Sequence, residues 1–511
     1  MTAPWTLPNT FQVTGQHYWQ NYHRNLMEGV THIVDVWNPD PNASSLSGYN
    51  ATTRGFQEAI GYALRNHLEL RAVGGRWSWA PVAVTDGVLL NTRPLNYRFR
   101  LGPQFMDPAS TKDHRKLLFV QCGTSISDLN RYLKSRQLAL KTSGASNGQT
   151  IAGALSTGTH GAAFGVGAVP DYVVGIHLVT NPLGKTLWLE RKSDPITLDG
   201  FAKLLNAERQ ADDDLFNAAL VSFGSFGIIH GVLIEVDDLY YLQAWRQTMP
   251  RASVRAAMEG LKFDTVPLPR SPEVPFHFQI VLNPHDQGDA YVTVMYRDKQ
   301  PRVDCKPQKP TGKIGMGENA LEIIGAITDA APDVVPAALA AAIKGQYGQY
   351  EGVCGTHGDI FGDTTTQGRT FSTAMGIDLA NVAQAVKIAE EAVRHHDAPT
   401  LVALRYVKSS RGTLAFTCHG TCTCVLEMDG PWSARTHAAV QKAWADLSAA
   451  NIPYTFHWGK VNNLDDQRVR TMYGPKLTDW LDARRELLKS DRLLRERVFA
   501  NRFLRQLNLH T

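Results

Sequence analysis

The chain has 511 residues, of which 43% are hydrophobic and 20% charged, and its formal net charge is +4. This length exceeds what one hydrophobic core usually serves, so we expect two or three domains. The small net charge gives no ground for a nucleic-acid or membrane partner. The first 15 residues lack the basic and apolar regions of a secretory signal, so we expect a cytoplasmic protein.

A strand–helix–strand unit begins the pattern of predicted elements. Residues 31–36 and 68–73 are strand-like, and residues 53–67 between them carry apolar side chains at helical spacing, after a turn over residues 38–50. The second strand leads into GGRWS at residues 74–78, where bare N–H groups suit a phosphate. A Gly-Gly turn alone is weak evidence, because ordinary β-turns share this composition.

The following elements alternate between strands and helices. We predict a turn and strand over 85–91, a strand over 117–122, a helix over 125–136, a hairpin of strands 172–180 and 186–190, and a helix, turn and strand over 214–236.

Residues 143–161, SGASNGQTIAGALSTGTHG, have five glycines and no charged side chain except a histidine. Such a composition is shared with flexible linkers, but strand-like runs flank this one. Glycine permits close approach of the backbone to a ligand, and successive free N–H groups form anion-binding concavities. The stretch therefore favours a long loop that binds a large phosphorylated cofactor.

Five motifs in order, GGRWSWAP, TDGVLLNTRPLN, VQCGTSISDLNRYL, QTIAGALSTGTHG and FGSFGIIHGVLIEV, resemble the FAD-binding domain of the vanillyl-alcohol-oxidase/PCMH flavoprotein superfamily. The similarity is greatest to the aldonolactone and alditol oxidases, which include gulonolactone oxidases. It covers about the first 240 residues and the last 60. The resemblance implies an α+β fold with a two-subdomain FAD-binding domain and an antiparallel sheet-plus-helices substrate cap.

The resemblance also implies which residues bind FAD. The pyrophosphate loop matches Gly74, Gly75, Arg76, Trp77 and Ser78; the second flavin-binding stretch matches Gly144, Gln149, Thr150, Gly153, Ser156, Thr157, His160 and Gly161; and the third matches Gly224, Gly227 and Ile229.

Two departures from the family concern attachment of the cofactor. Many members bind FAD covalently through a histidine just before the serine of the first loop, where this chain has Trp77. Bicovalent members add a cysteine in the second stretch, and residues 143–161 contain none. We therefore expect non-covalent FAD. Trp77 either packs against the dimethylbenzene edge of the flavin or is a plain core tryptophan.

A different pattern begins near residue 240. Residues 275–282 and 290–296 alternate like antiparallel strands, a helix follows Asp378, and residues 402–407 and 414–428 are strand-like. We predict an FAD-binding domain over 1–238, a substrate cap over 239–454 with a variable, strand-poor lid over about 312–363, and a C-terminal segment over 455–511 that returns to the flavin.

Residues 320–343 are the richest apolar stretch of the chain, but acidic residues and two prolines interrupt them. Their longest uncharged part, residues 334–343, is shorter than the roughly 20 residues that a membrane span needs. We expect packed or lid helices and no integral membrane association. The basic C-terminal helical region, residues 476–507, indicates a solvated helix face and no nucleic-acid site.

The six cysteines are expected to be free thiols. Cys418, Cys422 and Cys424 have a C-x3-C-x-C spacing, which is not a common zinc pattern. We place them on one face of a strand and predict no metal site.

The last segment contains HWGK, residues 457–460, which resembles a family motif and places Lys460 beside the flavin. Arg405 of ALRYVK matches the active-site arginine of the family. The family usually has a glutamate two residues earlier, and this chain has Ala403 there. His457 is the next candidate for proton transfer, and His419 and Glu427 rank behind it.

The leading hypothesis is an FAD-dependent oxidoreductase that oxidises a CH–OH group of a small organic substrate by hydride transfer to flavin N5, with oxygen or another molecule as electron acceptor. The apolar lid favours a substrate less polar than a sugar acid. Two alternatives remain open: flavin-dependent oxidation of a C–C or C–N bond in a natural product, and a flavin-binding protein without catalysis. The sequence does not assign an oligomeric state.

Overall fold

The computed structural model describes residues 7–40, 44–306, 320–361 and 369–511. Its strands are, in chain order, β1 (Phe11–Val13), β2 (Tyr18–Gln20), β3 (Met27–Gly29), β4 (His32–Val36), β5 (Leu70–Val73), β6 (Val88–Asn91), β7 (Arg98–Arg100), β8 (Leu117–Gln121), β9 (Leu138–Ala139), β10 (Val173–Val179), β11 (Thr186–Glu190), β12 (Ala207–Ala211), β13 (Ile228–Glu235), β14 (Asp237–Asp238), β15 (Tyr241–Pro250), β16 (His277–Asn283), β17 (Asp286–Asp298), β18 (Tyr350–Thr356), β19 (Thr370–Asp378), β20 (Leu401–Lys408), β21 (Cys422–Pro431) and β22 (Tyr454–Phe456).

The α-helices are α1 (Leu46–Arg65), α2 (Ile126–Lys134), α3 (Ile151–Thr157), α4 (Asp199–Leu204), α5 (Asp213–Leu220), α6 (Arg251–Gly260), α7 (Ala320–Ala330), α8 (Val335–Gln346), α9 (His357–Ile360), α10 (Val382–His395), α11 (Ala434–Ala449), α12 (Asp466–Tyr473), α13 (Pro475–Leu487) and α14 (Arg502–Gln506). A short π-helical turn, Leu494–Val498, precedes α14.

Two larger sheets and the two-stranded pair β2-β3 form the part of the chain before residue 236. One has the strand order β1-β4-β6-β5, in which β4, β6 and β5 are parallel. The other has the order β12-β11-β10-β13-β8-β7. Helix α1 begins at Leu46 because the Ser45 hydroxyl caps it by accepting from the Gly48 N–H at 3.2 Å. The expected turn over residues 38–50 therefore ends earlier than the sequence indicated.

The later part is built on an antiparallel sheet of eight strands in the described residues, with the order β18-β15-β17-β16-β20-β21-β19-β22. Its strands lie between residues 241 and 456. One face, with Ile280, Leu404 and Leu426, packs in the same core as α10 and α11. Side chains alternate along a strand, so Arg405 and Glu427 lie on the opposite face. The α+β fold expected from the sequence is confirmed, and the domain limits stay a prediction.

Four further expected elements differ from the structure. Residues 414–421 are irregular, so the strand expected over 414–428 begins only at Cys422, and Cys418 lies outside it. Residues 151–157 form α3 instead of a continuous loop. The helical region expected over 476–507 is divided into α13, the π-helical turn and α14. The expected lid over 312–363 lies partly outside the described residues, and its described part contains β18, an edge strand paired with β15.

Cys305 and Cys354 form a disulfide, which corrects the expectation of free thiols. The other four cysteines are free, and no cluster of three or more metal-ligating side chains occurs in the described ranges. Disulfides are typical of oxidising compartments, whereas the sequence led us to expect a cytoplasmic protein. The location itself stays a prediction. No helix in the described ranges combines the length and apolar character needed to cross a bilayer.

Candidate functional site

The first segment of the candidate site, residues 74–78, follows the carboxyl end of β5 in the parallel sheet. A side chain at Gly74 would meet the Thr150 side chain within 2.1 Å, and one at Gly75 would meet the Gly148 carbonyl oxygen at 2.5 Å. The lack of side chains thus lets the first segment pack directly against the second. Arg76 has a positive φ of 61°, which an arginine rarely adopts.

The second segment, residues 143–161, is held by the start of α2, where the N–H of Ile126 donates to the Gln149 carbonyl oxygen at 2.9 Å. Within it, α3 begins after Thr150, whose hydroxyl accepts from the Gly153 N–H. Gly153, Ser156 and Thr157 then share one side of the helix. All three line a cavity between the two parts of the chain.

The third segment, residues 221–229, is a tight turn that continues into the start of β13. Gly224 has a φ of 70° and Gly227 a φ of 115°, both in the region that favours glycine. The buried Arg71 guanidinium donates to the carbonyl oxygens of Phe223 and Gly224, the latter at 3.1 Å. These contacts hold the turn against the cavity.

The HWGK segment, residues 457–460, follows β22 and contacts the first and second segments. The Gly459 carbonyl oxygen accepts from the Trp79 N–H at 2.8 Å, and the Gly459 N–H donates to His457 Nδ1 at 3.0 Å. A Cβ at Gly459 would lie 3.3 Å from the hydroxyls of both Ser78 and Thr157. The first, second and C-terminal segments therefore meet at Gly459.

The eight-stranded sheet supplies a charged wall to the cavity. Glu427, which is 1% exposed, lies between two cations: Arg405 Nε is 3.0 Å from its Oε2, and Lys460 Nζ is 3.3 Å from its Oε1. Lys460 also contacts the Ser372 hydroxyl, which donates to Asp429 at 2.5 Å. The ion pair between Arg405 Nε and Glu427 Oε2 is buried and lacks hydrogen-bond geometry.

The pKa values of the two carboxyl groups of this wall shift in opposite directions. Burial by itself would raise the pKa of Glu427, but Arg405 and Lys460 outweigh it and lower that pKa below its usual value. Burial raises the pKa of Asp429, and Lys460 offsets only part of this effect. Glu427 is therefore the ionised carboxylate that balances the two cations.

Two neutral histidines complete the lining, with ring centroids 5.7 Å apart. Burial lowers the pKa of His160 to about 4 and that of His457 well below its usual value. His160 Nδ1 donates to the Gly161 carbonyl oxygen at 3.0 Å, which leaves the lone pair on Nε2. His457 Nδ1 accepts from Gly459, so the proton of His457 lies on Nε2.

Comparison with known proteins explains this arrangement of segments. Residues 50–190 match the FAD binding domain family, and the crystal structure of cholesterol oxidase from B. sterolicum superposes with a TM-score of 0.71 at 15% identity, covering 99% of both chains. Residues 50–190 therefore form an FAD binding domain, and the chain shares the fold of this oxidase. The resemblance read from the sequence is confirmed.

Two curated relatives of this flavoprotein are oxidases by name. A D-arabinono-1,4-lactone oxidase of Debaryomyces hansenii is 28% identical over 214 residues, 41% of this chain and 33% of that protein. A long-chain alcohol oxidase of an uncultured marine euryarchaeote is 33% identical over 175 residues, 34% of this chain and 30% of that protein. The matched region thus spans about a third of either relative.

The residues of the cavity fit FAD. Gly74, Gly75 and Gly148 leave bare backbone where a Cβ would not fit, and Gln149 has a buried side-chain oxygen without a hydrogen-bond partner in the described residues. A long, mostly neutral lining of N–H and hydroxyl groups suits a dinucleotide. We expect the first segment to hold the pyrophosphate and the second to hold the flavin.

The structure brings together all but one of the residues expected to contact FAD or substrate. The cavity is lined by Gly74, Gly75, Arg76, Trp77, Ser78, Gly144, Gln149, Thr150, Gly153, Ser156, Thr157, His160, Gly224, Gly227, Ile229, Arg405, His457 and Lys460. Gly161 does not line it, because it packs against Thr142 and Ser143. The individual roles of these residues stay predictions.

Trp77 and the lower-ranked candidates have distinct positions. The Trp77 ring stacks on Tyr22 with centroids 4.4 Å apart, and it also lines the cavity. His419 bonds to the Thr455 hydroxyl and does not line the cavity. Glu427, ranked equally low from the sequence, lines the cavity. Ser372 and Asp429 were missed altogether, since only strand pairing brings them beside Lys460.

Proposed function

We propose that this flavoprotein is an FAD-dependent oxidase that oxidises a CH–OH group of a small organic molecule. The main support for this proposal is that the FAD-binding segments line the same cavity as Arg405, Lys460 and His457. The relatives named as oxidases support an oxidase with oxygen as acceptor.

When bound, FAD supplies a hydride acceptor at N5 of its ring. Arg405 and Lys460 bind the oxygen of the substrate and stabilise the negative charge that develops as its proton leaves. His457 donates a hydrogen bond from Nε2 to the same oxygen, since its Nδ1 is occupied by the Gly459 N–H. The neutral His160 has its lone pair on Nε2 and is the group that accepts the hydroxyl proton.

The residues around the charged wall favour a substrate that is largely apolar apart from its hydroxyl group. Leu339 and Ile343 of α8 pack with Val281, Leu401 and Ala403 of the sheet, next to the cavity side of β20 and β21. An apolar helix over this face supports an alcohol less polar than a sugar acid. The names of the long-chain alcohol oxidase and cholesterol oxidase agree with this preference, whereas that of the lactone oxidase does not.

We also propose that FAD is bound without a covalent link. Cys122 is a cysteine at the cavity, and burial raises the pKa of its thiol to about 12, so it does not form the reactive thiolate. The test is the visible spectrum of the purified protein before and after acid precipitation. Flavin absorbance should move to the supernatant. Flavin that stays in the pellet contradicts non-covalent binding, and a protein that cannot be loaded with FAD overturns the whole proposal.

The substrate class is tested by anaerobic mixing with long-chain alcohols, cholesterol and D-arabinono-1,4-lactone. Loss of the oxidised flavin absorbance within seconds, followed by its return and hydrogen peroxide formation on admission of air, is the expected result for at least one alcohol. An FAD-loaded protein that no compound bleaches contradicts the oxidase and favours a flavin-binding protein without this activity.

A further inference from the structure

The carboxylate missing from β20 is present on the neighbouring strand. The flavoprotein family that the sequence resembles usually has a glutamate two residues before the arginine, and this chain has Ala403 there, two residues before Arg405. Strands β20 and β21 are antiparallel and place Ala403 directly opposite Glu427. Directly opposed side chains lie on the same face of a sheet and about 5 Å apart at Cβ. The carboxylate is therefore displaced by one strand, on the same face as Arg405.

We propose that Glu427 is the positioning residue of the oxidase site, a cross-strand carboxylate that holds Arg405 and Lys460 together in place of the glutamate absent from position 403. This inference rests on the proposed function for its catalytic meaning. Its structural content, one carboxylate that orders two cations beside the FAD cavity, is independent of the substrate.

The geometry favours this role over that of an ordinary strand residue. Glu427 contacts Arg405 with one oxygen and Lys460 with the other, at 3.0 and 3.3 Å, and is almost fully buried. Removing one partner of a buried pair leaves an uncompensated charge. Here the loss would leave two neighbouring cations, which repel each other and turn towards water.

The nearby Asp429 does not replace Glu427. It accepts from the Ser372 hydroxyl, and Ser372 in turn contacts Lys460, so Asp429 reaches the cation only through another side chain. Burial also raises the pKa of Asp429. Arg405 has no other ion-pair partner among the described residues.

The experiment exchanges the two residues across the strand pair. E427Q removes the charge with little change of volume, and the double variant A403E/E427A moves the carboxylate back to β20 while conserving the summed volume. The matched control is the exchange V402M/M428V, at the next pair of the same strands and on the opposite face. Each FAD-loaded protein is measured for the midpoint potential of its flavin, its melting temperature, and kcat and KM.

For E427Q we expect a midpoint potential shifted to more positive values, because a negative charge near the flavin is lost. We also expect a lower melting temperature and a kcat at least 100-fold lower, with KM changed less. A403E/E427A should recover more than half of each shift. A variant that merely loosens the fold lowers the melting temperature without raising the potential.

Two results overturn the inference: an unchanged midpoint potential in E427Q, or an A403E/E427A protein no better than E427Q while V402M/M428V behaves like the wild type. Potential and melting temperature need no substrate. If every alcohol fails while both shifts appear and the exchange restores them, the proposed oxidation is wrong and the role of Glu427 stands. If an alcohol is oxidised while neither shift appears, the role of Glu427 alone is wrong.

Discussion

The FAD cavity has two walls of opposite character. The wall before residue 236 presents glycines, hydroxyls and backbone N–H groups, with Arg71 and Arg76 as its only permanently charged side chains in the described residues. The wall from the eight-stranded sheet and the segment after β22 concentrates Arg405, Glu427 and Lys460 within ion-pair distance. The first wall offers many neutral hydrogen-bonding groups, and the second concentrates a few charges.

This difference predicts how each wall responds to substitution. A single side chain of the charged wall should affect turnover and stability strongly, because its partners lose their counter-charge. A single donor of the neutral wall should affect FAD affinity weakly. A larger loss of FAD affinity is expected only where a new side chain fills the space in which the protein backbone approaches the cofactor.

The largest expected effect is a pH-dependent loss of stability in Glu427→Gln. The lowered pKa of Glu427 means that its contribution is present above the usual value of 4.5 and is lost as the pH falls below it. The free energy of unfolding should therefore be about 3–5 kcal/mol lower than that of the wild type at pH 7. Melting temperatures of both FAD-free proteins between pH 3 and 8 measure this, and a difference that stays constant down to pH 3 contradicts it.

Lys460→Met should lower kcat by about 100- to 1000-fold, since it removes a cation aimed at the developing charge. The FAD content should stay near that of the wild type, because we expect the neutral wall to supply most contacts to the cofactor. Stopped-flow bleaching and the flavin-to-protein absorbance ratio measure the two quantities. Lys387→Met, on the exposed face of α10, is the control. A protein that loses FAD together with activity breaks the comparison of the two walls.

Gly75→Ala should weaken FAD binding by about 10- to 100-fold. The new methyl group would lie 2.5 Å from the Gly148 carbonyl oxygen, and overpacking of this kind costs about 1–3 kcal/mol. Quenching of flavin fluorescence during titration of the FAD-free protein gives the affinity. Gly165→Ala serves as control because nothing lies within 4 Å of its added Cβ. An unchanged affinity in Gly75→Ala shows that the first segment does not approach the cofactor.

The smallest effect is expected for Ser78→Ala. One neutral hydrogen bond contributes about 1 kcal/mol, which corresponds to roughly a fivefold increase of the FAD dissociation constant. The same titration resolves this change. A loss of 100-fold or more would mean that a single hydroxyl of the neutral wall dominates FAD binding, and the contrast between the walls would disappear.

The neutral wall was predictable from the sequence because its information is local. The glycines and hydroxyl side chains that indicate a cofactor site lie in short stretches, at Gly74, Gly75 and in the second segment. The strands and helices around them follow from hydrophobic periodicity. The main local error was α3, because a helix of only seven residues, placed within a glycine- and threonine-rich stretch, has little helical signal.

The charged wall was less predictable because it depends on pairing between distant strands. Nothing in the sequence marks Glu427 as opposite Ala403, since 24 positions separate them and the register of β20 and β21 decides the contact. The contact of Lys460 with Ser372 likewise joins residues that are 88 positions apart. The disulfide was missed for the same reason: no spacing rule pairs Cys305 with Cys354, and only the approach of residue 305 to β18 does so.

That disulfide closes a covalent ring from Cys305 to Cys354, which includes α7 and α8. A single protease cut anywhere inside the ring separates the chain into two pieces that the bond still joins. Such a nick leaves one band on a non-reducing gel and two bands after reduction. Purity judged without a reductant therefore overestimates the intact fraction, and preparations of this flavoprotein should be compared on both gels before activities are related to each other.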